Sequence, residues 1–370
     1  MNAERKVGIV TFGSVYLPRG GLAVRSRAVV EALIDIGITP FVISTEEPAT
    51  EGVLDAVEVS VLKRPLRWGW SLELVRKVKW ISRNVDVIIV ESAMLIPAVV
   101  HSKPRIPIVW DTNECETLHY HRLEGNLRKC LKGAIWYNLE RWSARRCQVV
   151  VAISDEEAKW WKHFFPAWEK RVVVVNHRPI IDTAPSTANA TLFRRVPGKV
   201  ILLFVGSMDG KHNAVAAEWL LKVLAPALPT ECILVLAGKG TGKLTLPYST
   251  RADIRCLGEV EHIDAVIAMA DYCLAPLSSG AGVKTKVLHY LAHGKCVIGT
   301  PLAFEGLEGA PGLFSAELQE WCAFMPEIMK QVENDGDRRS RQGRQREWLE
   351  ARHGRQVIAE QWRSVLGRIM

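Results

Sequence analysis

The chain has 370 residues, 48% hydrophobic and 24% charged, with a net charge of +8. That length favours two domains and allows a large core without disulfide or metal staples, and the ordinary apolar content excludes disorder as the main state. The basic excess sits in the first half, where 28 Lys+Arg face 21 Asp+Glu through residue 198, a balance suited to nucleic acid, an anionic membrane surface or phosphorylated substrates.

The polar start, Met1-Asn2-Ala3-Glu4-Arg5-Lys6, lacks the form of a signal peptide, and no stretch approaches the ~20 apolar residues of a membrane span. Short β-rich runs then alternate with amphipathic stretches, which predicts parallel sheets covered by helices. Strands are expected at Lys6–Phe12, Pro40–Ser44, Val57–Leu62, Asp86–Glu91, Ile106–Trp110, Gln148–Ile153 and Arg171–Val175. Helices are expected near Leu22–Ile36, Trp70–Arg83 and Leu127–Arg146. The small, polar, Pro-containing run 183–189 reads as a linker.

The alternation restarts with strands at Lys199–Val205, Cys232–Ala237, Ile254–Leu257, Tyr272–Ala275 and Cys296–Gly299. Helices fall between them at Asn213–Leu224, Ile263–Met269 and Thr285–Ala292, and from Ser315 the chain reads as helical to its end. The expected organisation is an α/β chain of two Rossmann-like parallel-sheet domains facing a cleft. Its parts are 1–182, a linker 183–198, a second domain 199–350, and a C-terminal helix 351–370 able to return to the first domain. In such sheets ligands sit at the carboxyl ends of the strands. The eight cysteines stand singly, with no C-x-x-C pair, and mostly inside apolar runs. Zinc-ribbon and thioredoxin motifs are therefore absent, and reduced cysteines indicate the cytosol.

Glycine-containing turns follow several strands. Gly20-Gly21 precede the first helix, Gly206-Ser207 follow Val205, and Gly238-Lys239-Gly240 follow Ala237. Such turns let backbone N–H groups approach an anion, although none has dinucleotide or Walker A spacing. The most informative run is Ser279-Gly280-Ala281-Gly282-Val283-Lys284-Thr285-Lys286, entering a helix. Lysines at a helix start oppose its dipole at a cost of ~0.3–1 kcal/mol each, and an anion bound at the glycine loop offsets that cost. A diphosphate gripped by amides and two ammonium groups is the expected ligand.

This segment resembles the donor-binding region of family 4 glycosyltransferases of GT-B fold. Gly280, Gly282, Lys284 and Lys286 fall on its loop, and Ala292, Gly294, Lys295, Val297 and Ile298 on the following helix end and strand. The likeness extends to Gly20-Gly21, Ala152-Ile153-Ser154, Asn176, Phe204-Val205-Gly206-Ser207 with Asn213, Thr300 and Glu305-Gly306-Leu307. The family's two glutamates read Ala281 and His289 here, so imidazole replaces a ribose-binding carboxylate. Trp110-Asp111-Thr112-Asn113-Glu114-Cys115-Glu116 resembles the family's Asp-x-His-Asn-x-Glu stretch, with Asn113 at the histidine position and His119 nearby.

The resemblance implies a metal-independent, retaining transferase using a UDP- or GDP-linked sugar as co-substrate, with no cofactor and no metal ligands. Its donor residues would be Gly206, Ser207, Lys211, Gly238, Gly280, Gly282, Val283, Lys284, Lys286, His289 and Glu305. Asp111, Glu116 and His119 would be catalytic, with Gly20 and Gly21 forming the first domain's glycine loop. Acceptors would be a sugar, a lipid-linked glycan or a small molecule in surface-glycan assembly. A nucleotide-sugar epimerase and a non-catalytic nucleotide-sugar- or partner-binding relative are the other readings. Tryptophans among basic residues, at 67–80 and 127–146, suit an anionic membrane surface and hence a cytoplasmic, peripheral protein. No motif for nucleic acid accompanies the charge.

Overall fold

Runs of Val and Ile, too apolar for a sheet with a wet face, set the architecture. The computed structural model describes residues 5–12, 15, 20–44, 58–62, 69–122, 127–181, 196–244, 253–323, 325 and 335–369. The linker run 183–189, Arg67-Trp68 and most of residues 13–19 lie outside these. Two compact units are present: Met1–Ile180 with Ala281–Val283 and Arg352–Met370, and Ile181–Gly280 with Lys284–Ala351.

In the first unit β1 (Val7–Val10), β2 (Phe41–Ser44), β3 (Glu58–Val61), β4 (Val87–Val90), β5 (Ile108–Asp111), β6 (Val149–Ala152) and β7 (Val172–Val174) form one parallel sheet, ordered β3-β2-β1-β4-β5-β6-β7. Side chains alternate between its two faces. Val10, Ile88, Val90, Trp110 and Val150 pack against α2 (Leu72–Ile81), α3 (Ile96–His101) and α6 (Asp155–Phe164). Val7, Ile9, Val87, Ile89 and Val109 pack against α1 (Gly21–Asp35). Two more helices, α4 (Glu116–Arg122) and α5 (Leu127–Ala144), lie between β5 and β6.

The sequence reading placed no helix at α3, α4 or α6. The first two are shorter than two turns, too short for a 3.6-residue period to show. For α6 the local signal exists: Ser154 caps Glu157 N through its Oγ at 3.1 Å, the start of a capping pattern.

The second unit repeats the plan. Its strands β8 (Val200–Val205), β9 (Cys232–Ala237), β10 (Asp253–Gly258), β11 (Tyr272–Ala275), β12 (Cys296–Gly299) and β13 (Leu313–Ser315) are ordered β10-β9-β8-β11-β12-β13, all parallel. Between them run α7 (Lys211–Trp219), continued through a π-turn at Leu220–Leu224 into α8 (Ala225–Ala227), then α9 (Ile263–Met269) and α10 (Thr285–Ala292). The expected helix from 315 to the end is replaced by β13, a 3-10 turn at Leu318–Glu320, α11 (Asp335–His353) and α12 (Arg355–Gly367). β13 has three residues, none fully buried, which leaves little pattern to read.

Gln345 of α11 holds this second unit by donating to Lys295 O at 2.9 Å and Pro311 O at 3.0 Å. By contrast α12 belongs to the first unit, where Ile358, Trp362, Val365 and Leu366 join the α1 face of the sheet. Among the described residues no helix is long and apolar enough to cross a membrane.

Candidate active site

In each sheet the order reverses beside the first strand, and ligands of such sheets sit beyond the carboxyl ends at that switch. For the second unit these ends are β8, leading into Gly206-Ser207, and β11, leading toward Gly280. Backbone space here is minimal. A Cβ on Gly206 would lie 2.8 Å from Asn213 Cγ, and one on Gly238, at φ +128°, would lie 2.4 Å from Gly206 O. Gly238→Ala is therefore expected to destabilise the protein by at least ~2 kcal/mol, measured by denaturant unfolding, because backbone must move.

Asn213, buried in the first turn of α7, organises the turn. Its Nδ2 donates to Ser207 O at 3.1 Å, and its Oδ1 accepts from Lys286 Nζ at 2.5 Å. The Lys286 ammonium also lies 4.5 Å from the centre of the Phe204 ring. Burial, with Lys284 as a second positive neighbour, pulls the Lys286 pKa down to about 7. Lys284 is the N-cap of α10, which has no acidic residue in its first turn. Its Nζ lies 3.5 Å from where a Cβ on Gly280 would sit, and Gly280 has φ +128°.

The structure thus brings Gly206, Ser207 and Lys286 together at Asn213, with Lys284 near Lys286 and beside Gly280. Lys211 is exposed in the first turn of α7, whose N-cap Gly210 has no side-chain cap. Thr300 donates to Leu277 O at 2.6 Å and fixes the 3-10 turn Pro301–Phe304, which Glu305 follows. Gly282 and Val283 group with the first unit rather than with Gly280 and Lys284. His289 has a partner the sequence reading did not anticipate: its Nε2 meets Asp264 Oδ1, together with Nε2 of His293. That nitrogen is committed within the fold rather than presented to a ribose.

In the first unit the corresponding switch lies between β1 and β4. Ser26 bridges Thr11, at 2.8 Å, and Glu91 Oε2. Burial first, then the charge of Asp111, pushes the Glu91 pKa up to about 7. Asp111, expected to be catalytic, is fully buried and held by Arg25, whose Nε and Nη2 donate to its two oxygens at 2.9 and 2.7 Å. Arg25 Nη1 also donates to Asn176 O at 2.8 Å. This is a charge-assisted bidentate pair with no solvent exposure on either side chain.

Much of the polar run after β5 is likewise committed to structure. Thr112 donates to Val151 O at 2.8 Å. Glu140 accepts from Glu116 N at 2.8 Å and Thr117 N at 3.1 Å, capping α4. Glu116 and His119 are half-buried, and Asn113 donates to Glu91 O at 2.5 Å. Burial and the neighbouring Glu114 and Glu140 carboxylates push the Glu116 pKa up to about 8, so it is a carboxyl group that holds a proton at neutral pH. Gly20, at φ +88°, is the N-cap of α1 and Gly21 its first residue, with no acidic side chain in that turn.

Arg25, Glu91 and Tyr290, whose Oη accepts from Val205 N at 2.8 Å, escaped the sequence reading, whereas Asn213 is matched by resemblance together with Gly206-Ser207. The first three each act through a partner 65 or more residues away, which no local pattern reveals.

Comparison with known proteins follows the same division. A model described as Glycosyltransferase Family 4 matches residues 19–177, and one described as Glycosyl transferases group 1 matches residues 199–330. No curated protein sequence matches the chain. Among similar solved structures is sucrose-phosphate synthase from Thermosynechococcus elongatus, with a TM-score of 0.73 and 13% identity over 98% of both chains. Anabaena HepE, solved in complex with UDP-glucose, has a TM-score of 0.69 and 15% identity over 98% of this chain and 99% of its own. WaaG, a glycosyltransferase involved in lipopolysaccharide biosynthesis, has a TM-score of 0.69 and 14% identity over 98% of this chain and all of its own, 100%. With one matching model on each parallel-sheet unit, the chain belongs to the group 1, family 4 glycosyltransferases of GT-B fold.

Proposed function

We propose that the chain is a retaining transferase that moves a sugar from a UDP- or GDP-linked donor to an acceptor hydroxyl in assembly of a surface polysaccharide or glycoconjugate. The observation that carries this reading is a half-buried Lys286, beside Lys284, hydrogen-bonded to a neutral amide oxygen. Two ammonium groups at an uncapped helix start form a site whose electrostatics an anion completes. A donor diphosphate would accept from Lys284, Lys286 and the Gly280 loop, with the Gly206-Ser207 turn, Gly238, Lys211 and Glu305 as further donor-side residues of the second unit. HepE, solved with UDP-glucose, supports the UDP form.

As the glycosidic bond breaks, negative charge grows on the diphosphate, and preformed cations facing it stabilise that state more than the ground state. Because the chain itself supplies this positive charge, the diphosphate has no need of a divalent metal. Glu116 and His119 are the acceptor-side candidates in the first unit, with Gly20-Gly21 beside them in role. Asp111 acts through Arg25 as a positioning residue.

The test sets UDP and GDP sugars side by side in thermal shift, followed by release of nucleotide with and without acceptor. One series is expected to raise the unfolding temperature and to yield slow hydrolysis. Indifference to both series would overturn the assignment.

The acceptor is proposed to be lipid-linked and met at an anionic membrane surface. Leu127, Leu131 and Ile135 lie four apart along α5 and are 75, 55 and 65% exposed, with Arg128, Lys129 and Lys132 interleaved. That is an apolar ridge flanked by cations. Leu131→Ser with Ile135→Ser is expected to abolish flotation with phosphatidylglycerol vesicles without changing nucleotide binding. Equal flotation of variant and wild type would remove the membrane from the proposal.

A further inference from the structure

Asp264 stands in the first turn of α9, and His289 lies in the last turn of α10 with His293, the C-cap of that helix, four residues on. Imidazoles at i and i+4 share one face of a helix. Here both direct Nε2 at a single oxygen, Asp264 Oδ1, with the His293 contact at 2.6 Å. The two rings lie 5.4 Å apart between centroids. The three possible ligand atoms all fall within 4.8 Å of one another. The His289, His293 and Asp264 side chains are 21, 14 and 10% exposed, sheltered without being sealed from water.

We infer that these three side chains bind one Zn²⁺, clipping α9 to α10, with water as the fourth ligand. Two imidazole nitrogens and one carboxylate oxygen are a donor set suited to zinc, and three protein ligands plus water make a tetrahedral site. Metal–ligand bonds of about 2.0–2.2 Å place neighbouring ligand atoms about 3.4 Å apart. Small side-chain rotations, opening the two Asp264 contacts by about 1 Å, reach that spacing. The all-oxygen octahedral sets that magnesium and calcium prefer are not available here, nor is the thiolate set of copper(I).

The ion would have a structural role. It joins two helices of one unit and lies one turn beyond Lys286 along α10, so it stiffens the helix without touching the diphosphate proposed above. Zinc binding is independent of the transferase reading, and its readouts require no turnover.

The experiment uses the full chain, stripped with EDTA, exchanged into metal-free buffer and titrated with Zn²⁺ and, separately, Co²⁺. One equivalent of zinc is expected by elemental analysis, a rise in unfolding temperature, and a visible d–d band with cobalt that zinc displaces. His293→Gln and Asp264→Asn are each expected to weaken zinc binding at least 100-fold. His101→Gln, exposed at the end of α3, should leave it unchanged. Circular dichroism of each variant checks its fold, and the cobalt band of the wild type is a readout that needs no variant. A wild-type protein that takes up no stoichiometric zinc and gives no cobalt band would overturn the site, as would equal loss in His101→Gln. UDP-dependent thermal shift, recorded on the same samples, reports separately on the donor site.

Discussion

Lys286→Met is expected to weaken UDP binding at least ~100-fold, which is about 2.7 kcal/mol, and to raise the stability of the free protein at pH 7. Both effects have one cause. Lys286 is sheltered above the Phe204 ring, shares its surroundings with Lys284, and donates to an amide oxygen rather than a carboxylate. In the free protein the charged form is disfavoured, and the pKa falls from 10.5 to about 7. Bound diphosphate reverses the balance, because the anion favours the ammonium form. Binding at pH 8 should therefore take up close to one proton, seen as a dependence of the calorimetric heat on buffer ionisation enthalpy. Affinity should decline as pH rises above about 7, because protonating Lys286 then costs progressively more.

Stability follows from the same numbers. Between pH about 7 and 10.5 the unfolded chain holds a proton on Lys286 that the folded chain has lost. Linkage makes the stability contributed by this group rise with pH across that window. Methionine, of similar length and uncharged, removes that slope and fills the same space. Urea unfolding of wild type and variant at pH 7 and pH 9.5 measures both. A variant that binds UDP as the wild type does would show that the ammonium group does not face the donor, and one with the same pH slope would show that burial does not lower the Lys286 pKa.

A second large effect is expected in the first unit, where Arg25→Met should cost ~3–5 kcal/mol of folding stability. The Arg25 and Asp111 side chains are both 0% exposed. Removing the guanidinium leaves an uncompensated carboxylate in the core, and desolvation already raises the Asp111 pKa against the pull of Arg25. The same arginine donates to Asn176 O and has its guanidinium carbon 6.0 Å from the centre of the Trp362 ring in α12, so its loss loosens three elements. Replacing both partners, Arg25→Met with Asp111→Leu, should recover much of the loss, since two apolar side chains leave no buried charge. Urea unfolding of the two single variants and the double variant closes the cycle. Single variants within about 1 kcal/mol of the wild type would mean the pair is not buried as described. Loss of transfer in Asp111→Asn would accordingly be read together with its stability and not taken as loss of a catalytic group.

Several features were legible from the sequence alone. Val7–Val10, Val87–Val90, Val149–Val151 and Cys232–Ala237 are β-branched or apolar runs bounded by turn formers, and that composition suffices for buried parallel strands. The glycines at 206, 238 and 280 and the lysines at 284 and 286 were legible for a related reason. Close backbone approach and cations at a helix start leave a mark within a few consecutive residues. The two-sheet organisation and the glycine- and lysine-bearing turns therefore followed from neighbours in the chain.

The tertiary structure alone decided the partners of charged and polar side chains. Asp111 is joined to Arg25 across 86 residues, His289 to Asp264 across 25, and Lys286 to Asn213 across 73. Each of these side chains would be an equally plausible site residue if left exposed, and only packing determines which are buried, paired or shifted in pKa. Local periodicity records which face of an element is apolar. It carries no record of which distant charge will be brought against it, because that depends on how the strands are ordered in the sheet.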